Sequence, residues 1–255
     1  MKGKLILISV IVASIMAMLA CTKENAANNG DVDVETVATS EIAENQQKEY
    51  ITRVDTLGLK VIYPDFSRVE LVCETMPSKN DANVVLVFAA AYTGKCLNEF
   101  SHSNIVGMHT SGGKYYDGSI FNGAFVYYNG MWKFMSDSEE IKAEIPLAAE
   151  HSGAGFTQDL LIYKGELHTT KRKDANLNIF RALCEHNGKL CVIESQQKIK
   201  FSDFKKALLD FGVTNAIYTD MGPGWNHAWY RTSSGVVELQ PYKHPYCTNW
   251  ITFYK

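Results

Sequence analysis

From Tyr50 onward the apolar residues of this chain fall in short runs of β character, separated by turn dipeptides. Leu59–Tyr63, Val69–Glu74 and Val84–Tyr92 read as strands. Asn129-Gly130 sits inside the run Phe125–Phe134, and Asn-Gly favours the positive-φ turn of a two-residue hairpin. That turn sets Phe125 opposite Phe134 and Tyr127 opposite Trp132, with all four rings on one face, expected to point to the core. The same reasoning gives hairpins over Leu160–Leu167 around Lys164-Gly165, Ile179–Glu194 around Asn187-Gly188, and Trp229–Leu239 around Ser233-Ser234-Gly235. Trp250–Tyr254 reads as a terminal strand.

Helical spacing occurs twice. Phe204, Ala207, Leu208 and Phe211 recur one turn apart, with Ser202 expected as N-cap and Gly212 as the stop. Ser136 and Glu139 have the spacing of a capping box for a second helix, which Pro146 is expected to end or restart. There is no internal repeat. Several hairpins with a few helices predict one α+β domain of mixed, largely antiparallel sheet over residues 50–255.

The first fifty residues follow a different pattern. Lys2 and Lys4 precede an apolar stretch, Leu5 to Leu19, too short for a comfortable membrane span of roughly 20 residues. Met18-Leu19-Ala20-Cys21 then has the form of a bacterial lipobox. Residues 1–20 therefore read as a lipoprotein signal peptide and Cys21 as the lipidation site. Residues 21–49 lack aromatic residues until Tyr50 and are rich in Asn, Ala, Glu and Thr, a composition that cannot offset ordering entropy, so they read as a flexible tether. The expected location is the cell envelope, lipid-anchored and extracytoplasmic.

Removing residues 1–20 removes two lysines and no acid, leaving 23 basic and 28 acidic residues, a formal charge of −5. That balance argues against nucleic acid as a partner. The remaining five cysteines contain no C-x-x-C, and the seven histidines show no H-E-x-x-H, so no metal site is expected. Cys184 falls opposite Cys191 in the Asn187-Gly188 hairpin, as a disulfide or as two small apolar residues on a buried face. Both alternatives stand at this level.

Four stretches carry candidate chemistry. Phe88-Ala-Ala-Ala-Tyr-Thr-Gly-Lys95, followed by Ser101-His-Ser-Asn104 and Gly112-Gly113, ends a buried strand in small residues, which suits a ligand close to backbone or merely a tight exit. His151-Ser-Gly-Ala-Gly-Phe-Thr-Gln158 offers glycine N–H groups to an anion, or is a plain turn. Arg181 falls opposite Glu194, on the face away from Cys184, as a cross-strand ion pair or as a guanidinium held ready for phosphate. Asn215-Ala-Ile-Tyr-Thr-Asp-Met-Gly-Pro-Gly-Trp-Asn-His-Ala-Trp-Tyr-Arg231 puts the acid Asp220, glycines and aromatic rings at a strand end, as a sugar site does, unless the tryptophans belong to the core.

The last three stretches together resemble the phosphodiester glycosidase domain family, that of the uncovering enzyme that removes N-acetylglucosamine from phosphomannose. Arg181 in a strand, the Asn187-Gly188 hairpin, the capped helix Ser202–Phe211 and the strand from Asn215-Ala216 to Asp220-Met221-Gly222 match that family's order, and Gly155-Phe-Thr-Gln158 matches its preceding segment. Met221 replaces the second residue of the family's Asp-Gly-Gly, Cys184 replaces a glycine, and Ala90-Ala91-Tyr92-Thr93-Gly94 stands where Asn-Gly-Gly-Phe is usual, with Asn122-Gly123-Ala124-Phe125 a later near match. These departures resemble a divergent, Bacteroidetes-type lipoprotein branch. The resemblance implies hydrolysis of a sugar-1-phosphodiester at the sugar side, with no cofactor. It implies that Arg181 binds phosphate with help from backbone near Gly153–Gly155, and that Asp220 and Glu194 supply the carboxylates. His151, Gln158, Gly222, Trp225 and Arg231 are the expected substrate contacts.

Overall fold

The structure is a computed structural model and describes residues 48–94, 102–172, 174–221, 227–241 and 247–255. The expected signal peptide, Cys21, the expected tether up to residue 47, Gly222 and Trp225 lie outside these residues. In chain order come β1 (Ile51–Thr56), β2 (Leu59–Pro64), β3 (Arg68–Cys73), β4 (Val84–Ala89), β5 (His109–Ser111), β6 (Lys114–Tyr116), β7 (Gly123–Tyr128) and β8 (Met131–Met135), then the helix α1 (Ser138–Glu150). Next are β9 (Ala154–Gln158), β10 (Leu160–Tyr163), β11 (Glu166–Leu167), β12 (Arg181–His186) and β13 (Lys189–Ser195). The helix α2 (Phe201–Asp210) leads into β14 (Asn215–Tyr218), β15 (Ala228–Thr232), β16 (Gly235–Leu239) and β17 (Asn249–Tyr254).

The strands form three sheets, ordered β1-β2-β13-β12-β14-β10-β11, β16-β15-β4-β17-β3 and β6-β5-β9-β7-β8. Every ladder among them is antiparallel. The turn dipeptides set the register as expected: Phe125 faces Phe134, Tyr127 faces Trp132, Cys184 faces Cys191 and Arg181 faces Glu194. Asn129, Lys164 and Asn187 all take positive φ, as do the glycines that follow them. Cys184 and Cys191 are both buried thiols, not a disulfide.

The inner faces of all three sheets meet in one core. Ile62, Leu183 and Ile217 come from the first sheet, Leu86, Phe88 and Phe253 from the second, and Phe125, Tyr127 and Phe156 from the third. The four rings of the β7–β8 hairpin take part as predicted, with Trp132 half-buried at the margin. Outside, α2 covers the first sheet through Phe204 and Leu208, and α1 covers the third through Ile141 and Ile145. The two tryptophans Trp229 and Trp250 fill the outer side of the second sheet with Val87 and Ala89.

Both helix starts differ from the expectation. Asp137, not Ser136, caps α1, and its Oδ1 accepts from the N–H groups of Glu139 and Glu140 at 3.0 and 2.9 Å. Pro146 does not break α1, which continues to Glu150. At α2, Lys200 holds the cap position without a side-chain bond, and Asp174 reaches in from the preceding loop to accept the Ser202 N–H at 2.8 Å. Gly212 closes α2 at φ +91°, as expected. The strands β1, β5 and β6 carry no sequence signal, because β1 is mostly exposed and the other two are three residues long.

Gly123 is where the third sheet meets the first. A methyl group there would lie 2.5 Å from Leu160 Cβ and 3.0 Å from the Met135 carbonyl. Gly123→Ala is expected to cost about 1–3 kcal/mol of stability, as overpacking does. Urea unfolding reads this, and an unchanged midpoint would mean that the junction yields freely.

Candidate functional site

The residues that end β14 hand three consecutive backbone N–H groups to three different segments. Tyr218 donates to the Asp159 carbonyl at 2.8 Å, Thr219 to the Arg181 carbonyl at 3.2 Å, and Asp220 to the Ala90 carbonyl at 2.8 Å. The last bond crosses from the first sheet to the end of β4 in the second. There the Ala89-Ala90-Ala91 run is fully buried, and Asn249 holds Ala91 by both its N–H, at 2.7 Å, and its carbonyl, at 3.0 Å. The small side chains of the β4 exit thus let Asp220 dock on backbone, the close approach that the alanine run suggested. β4 ends at Ala89, short of the expected Tyr92, because these side-chain partners replace the ladder.

Asp220 is partly exposed and its Oδ2 accepts the Thr93 N–H at 3.2 Å. Burial pushes its pKa up to about 7, and the Thr93 bond, the Arg172 charge and the Met221 N–H only partly oppose that rise. A carboxyl group poised there exchanges protons readily at neutral pH.

Next to it lies a cleft of about 550 Å³ whose lining includes Tyr92, Phe121, Asn122, Asp159, Thr170 and Lys171. Tyr92 and Phe121 meet edge to face at 6.4 Å, with Tyr92 39% exposed, which leaves an aromatic surface facing the opening. Asn122 ties the cleft wall together: its Oδ1 accepts from Leu160 N at 2.7 Å and its Nδ2 donates to the Thr169 carbonyl at 2.6 Å. Asp159, between β9 and β10, is partly exposed, and burial raises its pKa against the pull of Arg172, Lys205 and Lys171. Arg172 lies over the Tyr218 ring at 4.6 Å from its centre, and its charge acts on both Asp159 and Asp220. A smaller depression of about 350 Å³, lined by Arg172, Ser202 and Lys205, shares Thr169 and Thr170 with the cleft.

Arg181 and Glu194 pair as the register predicted, on the inner face of the sheet, and both are fully buried. Lys60 Nζ, at 3.0 Å, and Gln240 Nε2, at 3.3 Å, also bond Glu194 Oε1. Burial alone would raise the Glu194 pKa, but the charges of Arg181 and Lys60 outweigh it and hold the group below its ordinary range. A ligand reaches neither member of the pair without displacing its partner. Arg181 and Asp220 adjoin through backbone, since Thr219 lies between them, but the charged neighbour of the Asp220 carboxylate is Arg172.

The remaining expected contacts scatter. Gln158 is buried beside Gly123, with its Oε1 on the Asp159 N–H at 3.0 Å, so it shapes the backbone of the cleft. His151 follows α1 and stacks on Tyr128 at 5.4 Å, at the other end of β9. Arg231 spans to the carbonyls of Lys79, Asp81 and Val84, at the start of β4 and away from Ala90. Trp229 is core, with no exposed surface. The Gly153 N–H bonds Ala148, and a methyl group at Gly153 would meet the Tyr127 carbonyl at 2.2 Å, so close packing accounts for this glycine without an anion. Among the described residues no group of three His, Cys, Asp or Glu is placed to hold a metal ion.

Asp159 and Arg172 were not singled out in the sequence, and Tyr92 was only as part of the run that ends β4. The one local signal for Asp159 was an acid lodged between two apolar strands. For Arg172 it was a basic run, Lys171-Arg172-Lys173, in the loop before Arg181.

No family model matches this chain, and neither does any curated protein. Solved structures share its fold. One is the catalytic domain of the zebrafish N-acetylglucosamine-1-phosphodiester alpha-N-acetylglucosaminidase, auto-inhibited by its pro-peptide, with a TM-score of 0.54, 16% identity and 82% of each chain covered. Another is a hypothetical protein from Synechocystis, with a TM-score of 0.58 and 9% identity, where the match covers 80% of this chain and 61% of that one. At such identities the likeness is one of fold.

Arg181→Ala leaves Glu194 buried with only Lys60 as counter-charge, and is expected to cost about 3–5 kcal/mol. Urea unfolding reads this, and a loss below about 1 kcal/mol would mean that Lys60 suffices. For Asp220 the folded-state pKa lies above the unfolded value, so its contribution is intact in acid and is lost as pH rises through about 7. Asp220→Asn is therefore expected to raise the melting temperature at pH 8 and leave it nearly unchanged at pH 4; equal shifts at both would contradict this sign.

Proposed function

We propose that this chain is a hydrolase that cleaves sugar-1-phosphodiesters on the glycosidic side, working outside the cytoplasm on lipid attached to Cys21. The observation that carries this reading is the Asp220 carboxyl group at the junction of strand ends, beside a cleft that combines an aromatic surface, the Asp159 carboxylate and the Lys171 cation. The cleft chemistry suits the substrate: a sugar ring lies against Tyr92, its hydroxyls find Asp159, and the phosphate faces Lys171. Cleavage of the C1–O bond builds positive charge at C1 and negative charge on the departing phosphate. Asp220, holding a proton up to about pH 7, delivers it to the leaving oxygen. Arg181 and Glu194 act from behind, fixing β12 and β13 so that Thr219 and Asp220 keep their place. The fold shared with the zebrafish phosphodiester glycosidase domain supports the reading, as does the order of motifs along the sequence.

The test is release of free N-acetylglucosamine from UDP-N-acetylglucosamine and from a simple alkyl phosphodiester of the same sugar. Wild-type protein is expected to release it, with kcat falling as pH rises through about 7. Asp220→Asn is expected to lower kcat by about 10²–10⁴, the usual worth of a general acid. Binding without release would leave a glycan-binding lipoprotein in place of an enzyme. For the anchor, Cys21→Ser is expected to move the protein from the membrane to the soluble fraction; retention in the membrane would discard acylation at Cys21.

A further inference from the structure

We infer that Asp159 is the second catalytic carboxylate of this site, the base that takes a proton from the attacking water while Asp220 acts as the acid. The inference deepens the hydrolase reading above and rests on it.

Position is the first argument. Asp159 and Asp220 stand at neighbouring strand ends, joined through the bond from Tyr218 N–H to the Asp159 carbonyl at 2.8 Å. Asp159 lines the 550 Å³ cleft directly, and Asp220 is bonded to Thr93, the residue after the cleft-lining Tyr92. One guanidinium, Arg172, acts on both acids.

Constraint is the second. The Asp159 backbone is held on three sides: its N–H by Gln158 Oε1, its carbonyl by Tyr218, and the next N–H, of Leu160, by Asn122 Oδ1. Its carboxylate oxygens, in contrast, accept no hydrogen bond from a described residue. A backbone so fixed under a side chain so uncommitted is what a group that must receive a proton requires. The other acid expected for this role, Glu194, has no such freedom, because Arg181, Lys60 and Gln240 already occupy its oxygens and none of its surface is exposed.

The step balances. The water oxygen bonds to C1 of the sugar as the C1–O bond to phosphate breaks. Asp159 takes one water proton, the electron pair of the broken bond goes to the phosphate oxygen, and that oxygen takes the Asp220 proton. Free sugar and a phosphomonoester leave, and solvent restores the two carboxyl groups.

The test uses the full chain with the two substrates named above, for wild type, Asp159→Asn and Asp159→Glu. Asp159→Asn is expected to lower kcat at least 100-fold with KM changed less than threefold, and to abolish the rise of kcat on the acid side. That limb follows the titration of Asp159, which burial raises against the pull of Arg172, Lys205 and Lys171. Asp159→Glu, which keeps the carboxylate, is expected to recover at least tenfold over Asp159→Asn, and a melting temperature within a few degrees of wild type shows that the fold is intact. A kcat within threefold of wild type in Asp159→Asn overturns the inference and leaves the hydrolase reading standing. If wild type releases no sugar, the hydrolase reading fails by itself. The inference, which rests on that reading, then falls with it.

Discussion

The construction of the site depends on the divergence of three adjacent amides. Within a regular strand, consecutive residues bond alternately to the neighbours on either side. At Tyr218, Thr219 and Asp220 the N–H groups go instead to Asp159, Arg181 and Ala90, which belong to separate segments. A peptide N–H left unbonded inside a protein costs about as much as a lost hydrogen bond. The three bonds therefore tie the β9–β10 connection, β12 and the exit of β4 to one short stretch. The two acids, the cleft wall and the buried ion pair all hang from that stretch, and a shift of any of the three segments moves the others.

The Arg181–Glu194 pair plays a different part from the one its residue types advertise. An arginine opposite a glutamate on a hairpin invites a phosphate-binding role. Burial reverses this, because charges removed from water hold one another more tightly than they hold anything that must arrive from solvent. With Lys60 and Gln240 satisfying the remaining lone pairs of Glu194, the network resists a register slip between β12 and β13, since a slip of one residue would turn both charges onto the α2 side of the sheet. The exposed Arg172 rests on the Tyr218 ring beside the cleft, and Lys171 is the cation in the cleft lining.

What the sequence disclosed and what it hid divide along a physical line. Hairpin registers were legible because a turn dipeptide fixes local backbone, and the pairs Phe125–Phe134, Cys184–Cys191 and Arg181–Glu194 follow by counting outward. The end of α2 was legible for the same reason, through Gly212. Its start was not, because the group that caps it, Asp174, belongs to a loop more than twenty residues away in sequence from the helix's centre of hydrophobic spacing, and no local pattern announces such a partner. Asp220 stood out as an acid closing an apolar strand. Asp159, Tyr92 and Arg172 matter only through where three sheets meet around one core, and that meeting depends on contacts between distant parts of the chain. Trp229, prominent on paper as a sugar platform, turned out to fill the outer side of the second sheet.

The three tight turns Asn129-Gly130, Lys164-Gly165 and Asn187-Gly188 have a shared position. β7, β10 and β12 all begin near Gln158–Asp159 or Thr219 and run away from them, so these turns gather at the far end of the fold. Open space surrounds each of the three glycines where a side chain would sit. The strands accordingly run between two unlike ends, one interlocked through the amides of Tyr218, Thr219 and Asp220 and the other closed by turns with open space beside their glycines. A side chain added at these turns would meet no neighbour, and the positive φ there is what limits the residues that can replace glycine.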